Sequence, residues 1–332
     1  MNNLLKPVLF VLTSHSRKGE TGEATGFYLS EVTHPLAELE RAGMSVEFAS
    51  IAGGEAPVDG VELNDTVNAR YWQDETFRSV IRTTQRLNDV DASRYSAIYF
   101  AGGHGTMWDF PDSPAVARVT REIYEAGGFV AAVCHGPSAL VNVTLSNGRY
   151  LVQGKRISAF TNKEEIAAGM ADVVPFSLAD VLIQRGAEHK PVDNWQSQVV
   201  TDGRLITGQN PQSASGVGAA LRQALLASVL SAHASGEQPV VVTLNLTAKD
   251  PAAFKAHLQS VIPQTRLADG NQFSWSLENP ENAAEFTLIQ GWDSLAHQQS
   301  YLAWREARGD LAAFVGQLTI PPQVEVKALF DR

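Results

Sequence analysis

Val8-Leu9-Phe10-Val11-Leu12 and Phe129-Val130-Ala131-Ala132-Val133 are apolar at every position. A strand with one wet face alternates polar and apolar side chains, so unbroken runs of this length fit strands covered on both faces. Ala97-Ile98-Tyr99-Phe100 repeats the pattern, and Val46-Glu47-Phe48-Ala49 reads as a further strand. Helical spacing fills the gaps: Leu29, Val32, Leu36 and Leu39 run up to Gly43, a second helix is expected over 74–87, and a third over 116–126 stops at Gly127-Gly128. Doubly covered strands joined by helices build βαβ units. The alternation, which continues to about residue 208, predicts an α/β fold: a doubly wound, mostly parallel sheet with flanking helices, of the flavodoxin-like kind. An Ala/Leu-rich helix over 213–235 closes it.

The pattern then changes. Ala234-Ser235-Gly236-Glu237-Gln238-Pro239 has the composition of a short linker. Beyond it the chain reads strand (240–246), helix (251–262), two strands (272–277 and 285–292), helix (294–314) and strand (323–329). That is the β-α-β-β-α-β order of an α+β ferredoxin-like domain. At 332 residues the chain is long enough for two cores, and the expected domains are 1–236 and 238–332.

Formal charge is −10, from 26 basic and 36 acidic residues with no basic cluster, which argues against a nucleic-acid partner or an anionic membrane surface. The apolar run 4–12 is cut by Lys6 and Pro7, too short for a bilayer span or a signal segment, and no later stretch is long enough. A single cysteine, Cys134, excludes an intrachain disulfide and fits a reducing compartment. The expected location is the cytoplasm.

Functional groups in open α/β sheets collect beyond the carboxyl ends of the strands. Ala132-Val133-Cys134-His135-Gly136-Pro137 lies at such an end, with Pro137 suited to the first turn of a helix over 138–141. Cys134 therefore sits on a sharp strand-to-helix turn between small residues, the arrangement of a nucleophile elbow. A helix N-terminus beyond it and His135 beside it would lower the thiol pKa. A lone cysteine is more often buried and inert; the turn and the adjacent histidine favour a reactive thiol. Gly102-Gly103 ends the neighbouring strand and exposes backbone amides, so the Gly103 and His135 N–H groups, with Gly102 beside them, are candidates for an oxyanion hole. No lysine or dinucleotide spacing accompanies Gly102-Gly103-His104-Gly105, so neither a phosphate loop nor a cofactor is expected. His104 reads either as a metal ligand or, in the absence of an evident Cys/His/Asp cluster, as a loop-fixing hydrogen bonder, and no metal is expected. Trp108, Phe110 and Trp195 line a pocket or pack in the core.

Gly102-Gly103-His104-Gly105-Thr106-Met107-Trp108-Asp109, then Ala132 to Pro137, Phe160-Thr161-Asn162 and Gly208-Gln209-Asn210-Pro211 follow one another in the order of a known superfamily. Over residues 5–230 the chain resembles the PfpI-like, glutamine-amidotransferase-like superfamily, and within it the cofactor-independent glyoxalase III branch, some members of which are heat-shock chaperones. The resemblance implies Cys134 as nucleophile, His135 as proton-transfer partner and a glutamate after the Phe-Thr segment as its orienter. Glu165 fits the spacing, and Glu164 is the alternative. It also implies a second acid at Glu31, held protonated near the sulfur. A residue-level hint agrees: Pro35, four residues on, deprives the Glu31 carbonyl of its helical partner. The reaction implied is conversion of methylglyoxal and similar small dicarbonyls to hydroxy acids without glutathione or metal. Rivals are a cysteine hydrolase acting on amides or peptides and a holdase chaperone whose thiol senses oxidation.

Residues 238–332 resemble the antibiotic-biosynthesis-monooxygenase family, on element order, on Phe286 to Trp292 and on His297. Gln290 stands where a glutamate is usual. Trp275, Trp292 and Trp304 read as an aromatic site or as core and interface residues. The domain is expected to be a pairing module making a homodimer or higher homo-oligomer, with cofactor-free oxidation as the alternative.

Overall fold

The computed structural model describes residues 6–234 and 238–328, the backbone alone for 229–234. The chain divides into two compact units, Lys6–Leu226 and a second beginning at Ala227, and the division falls inside the long helix Ala214–Ala234. Residues 235–237, the middle of the expected linker, lie outside the described residues.

The first unit is built on a seven-stranded sheet in the order Val199–Asp202, Leu205–Gly208, Phe129–Val133, Ala97–Phe100, Val8–Leu12, Val46–Ser50, Gln85–Arg86. Every neighbouring pair is parallel except the first, Val199–Asp202 against Leu205–Gly208. The apolar runs occupy the middle of this sheet because both of its faces are covered there. On one face Leu9, Val11, Ile98, Phe100, Val130 and Ala132 join the main core. On the other, Phe10 and Tyr99 meet with ring centroids 4.4 Å apart. Each such buried side chain contributes about 1.5–3 kcal/mol of transfer free energy, enough together to fix the register. In that register Phe100 pairs with Ala132 and Val133 with Gly208. Three chain segments, at Gly102, Cys134 and Gln209, therefore leave the sheet side by side.

Of the helix expected over 74–87 the structure has Glu75–Arg82; a separate helix, Thr66–Gln73, precedes it and the edge strand Gln85–Arg86 follows. Asp65 and Asp74 each cap a helix, accepting backbone N–H groups of Val67, Asn68 and Thr76. Asp74 thus closes the first of these helices and caps the start of the second.

The second unit is a four-stranded antiparallel sheet in the order Asn271–Asn279, Asn282–Trp292, Val240–Thr247, Gln323–Ala328. With its helices this is the ferredoxin-like α+β arrangement. Leu246, Phe286 and Leu288 face the helix Pro251–Arg266 through Phe254 and Leu258. The expected helix 294–314 is split into Leu295–Ala307 and Asp310–Gly316, because Gly309 adopts a left-handed φ of 77°. Trp292 is core, its indole N–H donating to Gln290, whereas Trp275 and Trp304 are exposed.

Candidate active site

Cys134 has φ 61°, a left-handed conformation that is costly for any residue with a Cβ. Its backbone is clamped from two sides: its N–H donates to the Gly208 carbonyl and its carbonyl accepts from the Phe160 N–H, both at 2.9 Å. The turn closes because Gly136 has no side chain, since a Cβ there would lie 2.3 Å from the Phe100 carbonyl oxygen. The chain continues from His135 as a 3-10 turn, Gly136–Leu140, rather than as an α-helix.

That difference matters for the thiol. A turn of five residues carries little of the dipole that would favour a thiolate. Cys134 is buried, and burial, then the neighbouring Glu31 carboxylate, push its pKa well up, with only the His135 amide pulling it down appreciably. The depressed pKa expected from the sequence is therefore corrected. The resting group is a thiol, and it needs a base.

A candidate base is adjacent. His135 is buried, with Nδ1 3.3 Å from Cys134 Sγ and Nε2 2.8 Å from Glu165 Oε2. Burial and the nearby His104 hold His135 below its ordinary pKa, so the ring is neutral at neutral pH. Burial alone would raise Glu165, but His135 and His104 outweigh it and leave the carboxylate at about 2. A charged Glu165 accepting the Nε2 proton leaves the Nδ1 lone pair toward sulfur. Phe160 covers the imidazole at 4.2 Å between ring centroids.

Glu164 and Glu165, adjacent in sequence, point to different tasks. Glu164 is fully buried and makes the capping box of Asn162–Ala167, accepting from the Thr161 N–H and hydroxyl at 3.1 and 2.9 Å. Its other oxygen accepts from the Trp195 N–H, Gln209 Nε2 and Asn210 Nδ2 at 2.9, 3.1 and 2.8 Å. It ties the segment around Trp195 to the strand end at Gln209, and Glu165 alone of the two reaches His135.

Glu31 comes from the helix Ser30–Glu40, which runs through Pro35. The Glu31 carbonyl that Pro35 leaves without a helical donor accepts the Tyr99 hydroxyl at 2.5 Å. Its carboxyl is fully buried; Oε2 accepts the Gly102 N–H at 2.8 Å, while Oε1 has no hydrogen-bond partner among the described residues. Burial pushes this carboxyl up to about 8, against the opposite pull of Cys134 and the Gly102 amide. Glu31 is thus a neutral acid at pH 7, beside the sulfur. Gly102 is corrected accordingly: its amide is taken by Glu31 and is not free for an oxyanion. The Gly103 N–H donates no hydrogen bond among the described residues. Gly103 needs its φ of 102° and its missing Cβ, which would otherwise lie 2.3 Å from the Gly26 carbonyl oxygen.

A family model for the DJ-1/PfpI family matches residues 23–221. The chain belongs to the DJ-1/PfpI family. It is 30% identical over 219 residues to Glyoxalase 3 of Candida albicans, covering 62% of this chain and 93% of that protein. To the glutathione-independent glyoxalase HSP31 of Saccharomyces cerevisiae it is 34% identical over 224 residues, 63% of this chain and 93% of that one. Among solved structures it is similar to glyoxalase III of Candida albicans, with TM-score 0.62 at 28% identity over 67% of this chain and 98% of that one. It is also similar to Rapid Encystment Protein 24 KDa of Francisella tularensis, with TM-score 0.65 at 41% identity over 67% and 99%.

In this DJ-1/PfpI protein the remaining sequence candidates separate by position. Phe110 is core, packed on Phe100 at 5.5 Å; Trp108 is half-buried, stacked on His15 at 5.0 Å. Trp195 lies against Phe160 at 5.8 Å, with an unusual φ of 62°. His104 is a loop-fixing residue in that its Nε2 bonds Glu165 Oε1 at 2.9 Å. The expectation that no cluster accompanies it is corrected: His104, His135 and Glu165 converge as a group able to hold a metal ion. Sequence reasoning gave no role to Tyr99, Gln209 or Asn210. The polar Gln209-Asn210 pair directly at a buried strand end was the available signal.

Proposed function

We propose that this DJ-1/PfpI protein is a glutathione-independent glyoxalase that converts methylglyoxal and similar small dicarbonyls to hydroxy acids. The observation that carries the reading is the continuous line from Cys134 Sγ through the His135 ring to Glu165, at 3.3 and 2.8 Å, with the neutral acid Glu31 beside the sulfur. The names of the relatives in yeast and Candida support the substrate class.

The chemistry derives from the protonation states. His135 Nδ1 takes the thiol proton as sulfur adds to the aldehyde carbon, and Glu165 stabilises the imidazolium that forms. The alkoxide that results meets the Gly103 and His135 amides and takes the proton back from His135 Nδ1, leaving a hemithioacetal and a neutral imidazole. A proton then leaves the former aldehyde carbon for His135 or a neighbouring carboxyl and returns to the adjacent carbon through an enediol, giving a thioester of the hydroxy acid. Water cleaves the thioester and restores the thiol. The sum is dicarbonyl plus water to hydroxy acid, with no external electron acceptor.

The ferredoxin-like unit supports a second proposal, that residues 238–332 pair two copies while residues 1–236 carry the chemistry. Trp275 and Leu277 are 43% and 51% exposed on the sheet face that the helices leave open, a face the paired register shares with Ile289. An acidic chain with one thiol fits the cytoplasm, and among the described residues no helix is long and apolar enough to cross a membrane. The test of function is product analysis. The full chain, without glutathione, is expected to turn methylglyoxal into lactate, and consumption no faster than in buffer would overturn the assignment.

A further inference from the structure

The sulfur–imidazole–carboxylate line does not require His104, yet its ring lies 4.3 Å from that of His135. Its Nε2 takes the second oxygen of Glu165, so both imidazoles meet one carboxylate through Nε2. One ligand atom from each of the three residues lies within 4.8 Å of the other two. Two imidazole nitrogens and a carboxylate are the donors of a zinc-type site with a position left for water. The His104 side chain is 18% exposed against 1% for His135, so the cluster has a solvent side by which an ion can enter. We propose that His104, His135 and Glu165 form a binding site for a divalent transition metal, zinc foremost, whose occupancy switches off Cys134.

The switch is a matter of tautomers. To accept the thiol proton, His135 keeps its own proton on Nε2, toward Glu165, and a lone pair on Nδ1, toward sulfur. A metal on Nε2 needs that nitrogen's lone pair, so the proton moves to Nδ1, 3.3 Å from Cys134 Sγ. Nδ1 then donates where it had accepted, as the outer nitrogen of a metal-bound histidine normally does. The metal-bound form has lost the base for the thiol. Neither sulfur nor any redox change takes part.

The inhibition rests on the glyoxalase reading; the binding does not. After chelator treatment, calorimetric titration of zinc into the full-length Cys134→Ser chain is expected to show one ion per chain. His104→Ala and His104→Gln, checked for folding by circular dichroism, are each expected to weaken that binding at least tenfold. Cobalt(II) in the wild type is expected to show ligand-field bands without a sulfur-to-metal band. Zinc that fills the site is expected to stop dicarbonyl turnover, with recovery on adding EDTA. Absence of stoichiometric binding, unchanged affinity in both His104 variants, or a strong cobalt–thiolate band would overturn the site, and full turnover with the site filled would overturn the switch. Because calorimetry needs no turnover, a chain that binds zinc but leaves dicarbonyls untouched refutes the glyoxalase reading and not the site.

Discussion

Replacing Glu31 with glutamine removes a titration while keeping the shape of the side chain. In the folded protein the carboxyl titrates at about 8 against an ordinary 4.5, and burial is the main cause. Linkage sets the sign. Below about pH 4.5 the group is protonated folded and unfolded, and its contribution to stability is whole. Between 4.5 and 8 the unfolded chain ionises while the native one holds its proton, so stability falls by about 1.4 kcal/mol per pH unit. Over the whole window the loss is on the order of 5 kcal/mol, and above pH 8 it stops growing. An amide side chain does not titrate, so the Glu31→Gln variant escapes this loss. Urea unfolding of the wild type and Glu31→Gln at pH 5, 6, 7 and 8 is expected to show a stability gap widening steadily in the variant's favour. Turnover of the variant is expected to fall, since an amide cannot supply the acid's proton. A gap that is the same at pH 5 and pH 8 would mean that Glu31 is an ordinary carboxylate at neutral pH, and the acid beside the sulfur would be lost from the account.

The raised thiol makes Cys134 slow toward iodoacetamide at pH 7 compared with an ordinary thiol of pKa about 8.5; alkylation is expected to climb above pH 9, and full reactivity at pH 6 would contradict the burial argument. Glu165→Gln is expected to fold normally and lower kcat by about 10²–10⁴-fold. Glu164→Gln is expected to lose about 2–4 kcal/mol of stability, because an amide cannot satisfy the donors that the carboxylate now accepts; comparing kcat with the denaturation midpoint separates the two. A chain ending at Gly236 is expected to keep dicarbonyl turnover and to form smaller oligomers than the full chain by light scattering, and a folded but inactive product would assign part of the site to the second unit.

Strand burial, and with it the placement of Cys134, was legible because an apolar pentad has few other solutions in a soluble fold. The ferredoxin-like order was legible from the succession of strand-like and helix-like segments after the polar break at 234–239. Register within the site was legible only in part. Spacing favours Glu165 but leaves Glu164 open, and the physical difference between them is the rotation of one residue around Asn162–Ala167, fixed by the Thr161 capping box. The raised thiol pKa was not legible because a 3-10 turn and an α-helix start alike after Cys134, and because the burial of the sulfur, its largest cause, is a tertiary property. Gly102 failed as an oxyanion donor for a tertiary reason too: Glu31 reaches its amide first. His104 carried no spacing signal, since its companions come from two other segments.

The proposed chemistry begins with a bond from the Cys134 sulfur to the carbonyl carbon. Its most direct test is lactate formation from methylglyoxal by the wild type and by Cys134→Ser, measured side by side without glutathione at equal, verified folded concentrations. A hydroxyl with the same neighbours stays protonated and adds poorly to the carbonyl, so the variant is expected to lose at least about 10³-fold in kcat/KM. Lactate formed by the serine chain at the wild-type rate would contradict the account.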